Sequence, residues 1–120
     1  MKNVIVTGAN GFVGSALISQ LIKSRIRVIA LDITENPFRL DLSSAYLTYH
    51  CIDIKQIETI FEKMSSYQPD TFYHFAWIGS AGQLREDIGI QVDNALLTVA
   101  MLNFAKKTGC KKFVLSLIHI

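Results

Sequence analysis

Two hydrophobic patterns alternate along the chain, and the period changes at each junction. Asn3 to Thr7 is a short run dense in β-branched residues, and Phe12 to Ser24 then carries Phe12, Val13, Ala16, Leu17, Leu21 and Ile22 at helical spacing. Arg27 to Leu31 is a second strand-like run, ended by Asp32. A polar connection holding Pro37 leads to a third, Leu47 to Ile52. Behind it Ile57, Ile60, Phe61 and Met64 repeat as in a helix, which Pro69 and Asp70 close. Thr71 to Ala76 reads as the fourth strand. After a loop containing Gly79, Gly82 and Gly89, the positions Val92, Ala95, Leu96, Val99 and Leu102 predict another amphipathic helix. Lys106, Lys107 and Gly109 end that helix, and Lys112 to Leu117 is the fifth strand.

Strands alternating with helices pair in parallel through right-handed crossovers, which place helices on both faces of the sheet. The strand runs are continuously apolar, as strands covered on both faces must be. The expected architecture is therefore α/β, a doubly wound parallel sheet of about five strands in the order 3-2-1-4-5. The chain direction reverses between strands 1 and 4, so a crevice opens at their carboxyl ends, where ligands of such sheets sit.

At that position the chain reads Thr7-Gly8-Ala9-Asn10-Gly11-Phe12-Val13-Gly14, with glycines spaced three and three. A tight turn from strand to helix needs one residue without a Cβ, a pyrophosphate approaching the backbone needs a second, and close helix–strand packing needs a third. The unpaired N–H groups of the first helical turn and the positive end of the helix dipole then hold phosphate. Glycines that serve packing alone are the competing explanation. Asp32, 18 residues beyond Gly14 at the end of the second strand, decides between them. A carboxylate there accepts the adenosine ribose hydroxyls and repels a 2′-phosphate, so the expected cofactor is NAD rather than NADP. Arg39, in the following loop, is the residue that could instead receive a 2′-phosphate. No Lys-Ser or Lys-Thr pair follows the glycines, as a P-loop would require.

Composition narrows the partners. The 120 residues carry 12 Lys+Arg against 10 Asp+Glu, a formal charge of +2, too scattered to suggest a nucleic-acid or membrane partner. The length suits one domain, residues 1–120. No run of 18 apolar residues is present, which argues against a spanning helix. Cys51 and Cys110, each in an apolar segment and without metal-ligand spacing, read as reduced core thiols of a cytoplasmic protein.

With these residues in hand, the chain resembles the N-terminal part of the extended short-chain dehydrogenase/reductases, the NAD-dependent epimerase/dehydratase family with a Rossmann fold. The similarity runs from Val4 to about Ser116. Its most specific motif is the stretch from Thr7 to Gly14, in which Phe12 stands where the shorter branch of that superfamily wants glycine. The resemblance implies cofactor contacts from Gly8, Asn10, Gly11, Phe12, Val13 and Gly14, with Asp32 as the ribose-binding acid. Asp53 and Ile54 correspond to an adenine-side pair, and His74-Phe75-Ala76-Trp77 to a His-Leu-Ala-Ala-like run beside the cofactor. Asn94 corresponds to an Asn in the helix before strand five, and Gly109 to Val114 is similar to the approach to that strand. Several positions carry a plainer alternative. Asp53 with Gln56 is also a capping-box pattern. His74 is a core histidine or a catalyst, Trp77 shelters cofactor or packs in the core, and Asn94 is a cofactor neighbour or a helix-surface residue. Lys106, Lys107, Lys111 and Lys112 read as a solvated cluster at a helix end.

Family members carry a Ser or Thr beyond strand five and a Tyr-x-x-x-Lys that exchange protons while the cofactor exchanges hydride. Here the residues four beyond Tyr46, Tyr49, Tyr67 and Tyr73 are His50, Asp53, Thr71 and Trp77. Ser116 could begin the serine-rich run, but Ile118 stands where the hydroxyl is expected. The expectation is therefore a sheet incomplete at the C-terminus. The chain would be the cofactor-binding N-terminal part of a longer protein acting on a sugar nucleotide, with Leu117-Ile118-His119-Ile120 not necessarily of the parent frame. Strand five would be an unprotected edge, a template for dimers or larger self-association. The alternative function is a non-catalytic dinucleotide-binding sensor or scaffold.

Overall fold

The computed structural model describes residues 1–63, 67–77 and 86–115. Met64, Gly79, Gly82 and residues 116–120, on which several expectations fell, lie outside them. The elements are β1 (Asn3–Thr7), α1 (Phe12–Lys23), β2 (Arg27–Asp32), β3 (Leu47–Cys51), a 3-10 turn (Ile54–Gln56) running into α2 (Ile57–Lys63), β4 (Thr71–His74), α3 (Ile88–Lys107) and β5 (Lys112–Leu115). All strand pairs are parallel, in the order β3-β2-β1-β4-β5, as expected.

Strand parity divides the core. Val4, Val6, Val28 and Ala30 face Ile18 and Leu21 of α1. Ile5, Ile29, Leu31 and Phe72 face Ile54, Ile57 and the α3 residues Met101, Phe104 and Ala105. Phe72 is fully buried, stacked on Phe113 at 5.4 Å between ring centroids and edge-on to Phe104 at 6.2 Å. A side chain of this size, fully buried, contributes about 1.5–3 kcal/mol.

The face that α3 turns to the sheet differs from the one the apolar spacing predicts, and that of α1 is shifted: of its predicted row Leu21 is buried and Leu17 and Ile22 pack alongside, while Phe12, Val13 and Ala16 stand out. In α1 the buried residues are Gly14, Ser15, Ile18 and Leu21, and Phe12 and Val13 stand exposed in the first turn. In α3 they are Asn94, Met101, Phe104 and Ala105, with Leu97 packed alongside. The predicted row Val92, Ala95, Leu96, Val99 and Leu102 is exposed instead, Leu96 at 64%. Apolar residues lie nearly all round α3, so counting them does not orient it. The face is chosen by which side chains fit beside Phe72 and Phe113.

α3 is also long and apolar enough to cross a membrane by length and composition, contrary to expectation. Its polar residues are few, so its mean hydropathy stays high although no 18 apolar residues are consecutive. The Met101, Phe104 and Ala105 row lies on the sheet. β4 ends at His74 rather than Ala76. β5, at the sheet edge, has three of its four residues exposed.

Candidate functional site

The carboxyl ends of the strands form one rim. Thr7 is in register with Leu31 on one side and His74 on the other, and Asp32 with Cys51. From Thr7 the chain enters Gly8 at φ +65°, a left-handed conformation that strains any residue with a Cβ. A Cβ there would also fall 2.8 Å from the Ala76 nitrogen and 2.8 Å from the Phe75 carbonyl carbon. At Gly14 a Cβ would collide with the Gly8 carbonyl oxygen and sit 3.1 Å from the Ala9 Cα. Gly11 differs: among the described residues a Cβ there meets only the Gly8 oxygen, at 3.3 Å, and Gly11 faces solvent.

Gly11 is also the cap residue of α1, with no side chain to occupy the first-turn N–H groups. The first four N–H groups of a helix lack intrahelical acceptors and, with the dipole, favour an anion. Phe12 and Val13 in this turn are exposed. The arrangement is a backbone cradle, kept in shape by the close approach of the Gly8, Ala9, Phe75 and Ala76 backbone that a Cβ at Gly8 or Gly14 would prevent, and it fits the pyrophosphate of a dinucleotide.

Asp32 closes this loop from the side. Its Oδ2 accepts the Asn10 N–H at 2.9 Å, and its Oδ1 accepts the Thr34 N–H and hydroxyl at 3.1 and 3.0 Å. A carboxylate offers about four acceptor positions, so capacity remains for a ligand hydroxyl. Tyr49 on β3 donates its hydroxyl to the Thr34 carbonyl. Burial, with the Asp32 carboxylate second, pushes the Tyr49 phenol up to about 12, so it stays a donor.

Asn10 is buried. Its Oδ1 accepts the Arg39 N–H and its carbonyl accepts Arg39 Nη1, both at 3.0 Å. The guanidinium lies 4.2 Å from the Phe12 ring centroid and 4.7 Å from that of Phe38, the geometry of a cation–π contact. Arg39 is thus built into the outer wall of the glycine loop. Sequence spacing offered no signal for the Phe12–Arg39–Phe38 stack, because Phe12 and Arg39 meet only after the β2–β3 connection folds back.

At the end of β4 the buried Thr7 hydroxyl accepts the N–H groups of Phe75 and Ala76, both at 3.1 Å, and pairs with His74 Nδ1 at 2.7 Å. The Phe75 side chain points into the α1-side core beside Tyr73, so only its backbone faces the loop. Trp77 is half-buried and donates Nε1–H to Gln91 Oε1 at 3.0 Å. Gln91 also receives Asn94 Nδ2–H at 3.4 Å. Asn94 is buried, which corrects the surface alternative. Thr7 and Gln91 went unremarked as functional in sequence, since a lone Thr or Gln carries no motif.

Asp53 caps the 3-10 turn through the Lys55 N–H at 3.0 Å and is itself exposed. The reciprocal Gln56 partner of a capping box is replaced by a backbone bond from Gln56 N–H to the Asp53 carbonyl. The Ile54 side chain is buried in the core, leaving only its backbone for a ligand. Both cysteines are free, but Cys51, the last residue of the edge strand β3, is exposed rather than a core thiol. No cluster of metal-ligating residues occurs among the described residues.

The chain is 25% identical to UDP-glucose 4-epimerase 1 of Oryza sativa subsp. japonica, over 97% of its length and 36% of the relative's. It is 24% identical to dTDP-4-dehydro-6-deoxyglucose reductase of Escherichia coli, over 94% of this chain and 37% of the relative. An epimerase structure from Methanothermobacter thermautotrophicus superposes with a TM-score of 0.79 at 28% identity, covering 95% of this chain and 34% of the other. UDP-glucose 4-epimerase from Bifidobacterium longum, solved with NAD+ and UDP, gives 0.75 at 22% identity, covering 96% and 36%. The chain therefore spans about a third of the length of these relatives. Residues 4–117 match the model of one family across nearly all of the fold just described, and the chain belongs to the NAD dependent epimerase/dehydratase family.

Proposed function

We propose that this chain is the dinucleotide-binding portion of a cytoplasmic NAD-dependent epimerase or dehydratase that acts on a nucleotide sugar. The observation that carries the reading is the closure of the Gly8–Gly14 loop onto Asp32, which sets backbone N–H groups and a carboxylate side by side. The amides around Gly11, Phe12 and Val13 would receive the pyrophosphate, and Asn10 keeps the loop in shape. Asp32 would accept ribose hydroxyls and disfavour a 2′-phosphate. The exposed Asp53 carboxylate and the Ile54 backbone suit the adenine side. The Phe75–Ala76 backbone, Trp77 and Asn94 suit the nicotinamide side.

When bound, NAD supplies reversible hydride transfer. This chain's own part is to bind and orient, since none of its tyrosines is followed by the lysine that acid–base chemistry in the family requires. The relatives' names, epimerases of UDP-glucose and a reductase of a dTDP-linked sugar, support a nucleotide sugar as the substrate class. The two free thiols support a reducing compartment.

The test is calorimetric titration of the 120-residue chain with NAD and NADP. NAD should bind the more tightly, and Gly11→Leu should weaken it at least about tenfold with the fold retained, because that Cβ meets a single backbone atom. An unchanged dissociation constant in the variant would remove the loop from the site. No turnover is expected with UDP-glucose and NAD.

A further inference from the structure

Thr7 has one hydroxyl proton and two lone pairs. The N–H groups of Phe75 and Ala76 can only donate, so between them they occupy both lone pairs. Among the described residues the remaining hydrogen-bonding neighbour of Thr7 Oγ1 is His74 Nδ1, at 2.7 Å, and the hydroxyl proton is donated to it. Nδ1 is then the bare nitrogen of a neutral imidazole, and Nε2 carries the ring proton. The surroundings agree. His74 is 1% exposed between the rings of Phe72 and Phe113, with centroids at 6.5 and 6.3 Å. Its Nε2 is buried without a partner among the described residues. An environment this apolar penalises the imidazolium.

We propose that His74 is a positioning residue of the cofactor site: by accepting the Thr7 hydroxyl proton at Nδ1, it aims the Thr7 lone pairs at the Phe75 and Ala76 amides and holds that backbone against Gly8. The two amides depend on it unequally. Phe75 N–H also reaches the Thr7 carbonyl at 3.2 Å, whereas the Thr7 hydroxyl is the acceptor found for Ala76 N–H among the described residues. A proton on Nδ1 would present Thr7 with three donors for two lone pairs, and the Ala76 amide would be released. Since Gly8 lies directly against this segment, the release would loosen the inner wall of the glycine loop. Only that last consequence rests on the proposed cofactor.

Nitrogen-15 spectroscopy of the imidazole in the 120-residue chain should find Nδ1 bare and Nε2 protonated, and a protonated Nδ1 would overturn the proposal. His74→Asn places an amide oxygen where Nδ1 stood, and His74→Leu removes the acceptor. Amide exchange at Ala76 should be about tenfold faster in His74→Leu and near the parent rate in His74→Asn, with Val4 to Val6 unchanged. Equal exchange in all three proteins would overturn it. Should His74→Leu not fold, the nitrogen spectrum of the parent chain decides. NAD should bind His74→Leu about tenfold more weakly and His74→Asn within about twofold of the parent. An unchanged affinity in His74→Leu would overturn the link to the site. A parent chain with the expected tautomer and exchange but no affinity for NAD would support the positioning role and refute the cofactor reading.

Discussion

At the scale of single residues, Asp32 joins the glycine loop to the second strand. Its carboxylate accepts Asn10 N–H on one oxygen and the Thr34 backbone and hydroxyl on the other. Asp32→Ala leaves the Asn10 amide without its acceptor and removes the negative charge beside the ribose. Its NAD affinity should fall about tenfold, and the preference for NAD over NADP should shrink, as competitive titration would show. His74 answers to pH. Burial lowers its ionisation from the ordinary 6.5 to about 4, so between those values the unfolded chain binds the extra proton. The stabilisation is complete above about pH 6.5 and is lost as pH falls toward 4, amounting to about 3 kcal/mol. Denaturant melts across this range should show that slope in the parent and lack it in His74→Asn. The glycines and Asp32 were readable in sequence because their spacing reflects local backbone geometry. The burial of Asn94 and the Phe12–Arg39–Phe38 stack depend on segments distant in the chain, so no local spacing carried them.

At the scale of elements, the union of α1 with β1 depends on Gly14, whose missing side chain lets the helix rest on the Gly8 carbonyl and the Ala9 Cα. Backbone atoms do not move aside as a flexible side chain would. Gly14→Val should therefore cost at least about 2 kcal/mol in chemical denaturation, against a small effect for Gly11→Leu. The α1 and α3 segments were legible as helices, and their ends were nearly so. Gly109, at φ +83°, turns the chain just past α3, and its N–H bonds to the Lys106 carbonyl at 3.2 Å. The rotation of α3 was not legible. Asn94 is buried and Thr98 half-buried while Leu96 and Val99 are exposed, and hydrogen bonds to Gln91 and to the helix backbone satisfy those polar side chains.

At the scale of the whole molecule, one sheet carries two cores, and the aromatic group around Phe72 ties β4, β5 and α3 together. Phe72→Ala should cost about 3–5 kcal/mol, measured by denaturant titration, because close-packed rings on several sides prevent collapse of the cavity. The outer surface is unevenly finished. Among the described residues β5 is paired on one side only, with Val114 and Leu115 about 40% exposed, and α3 presents Ile88, Val92, Leu96 and Val99 outward. An unpaired strand edge beside exposed apolar side chains favours association. Sedimentation velocity at high micromolar concentration should show species larger than the monomer, and Leu96→Lys combined with Val99→Lys should reduce them. A monomer at every concentration would refute the expectation of self-association.

What the amino-acid order determined by itself was whatever depends on neighbours in the chain: five strand runs, the helical segments between them, the parallel order they imply, and a glycine loop followed by an acid at the right distance. Periodicity and backbone freedom are local properties, and 120 residues spell them out. Tertiary structure alone decided which side of α3 meets the sheet, that Arg39 would stack on Phe12, and that Thr7 would lie between His74 and the Ala76 amide. Each of those contacts joins residues separated by a folded element, and its energy exists only once the sheet has brought them within a few ångströms.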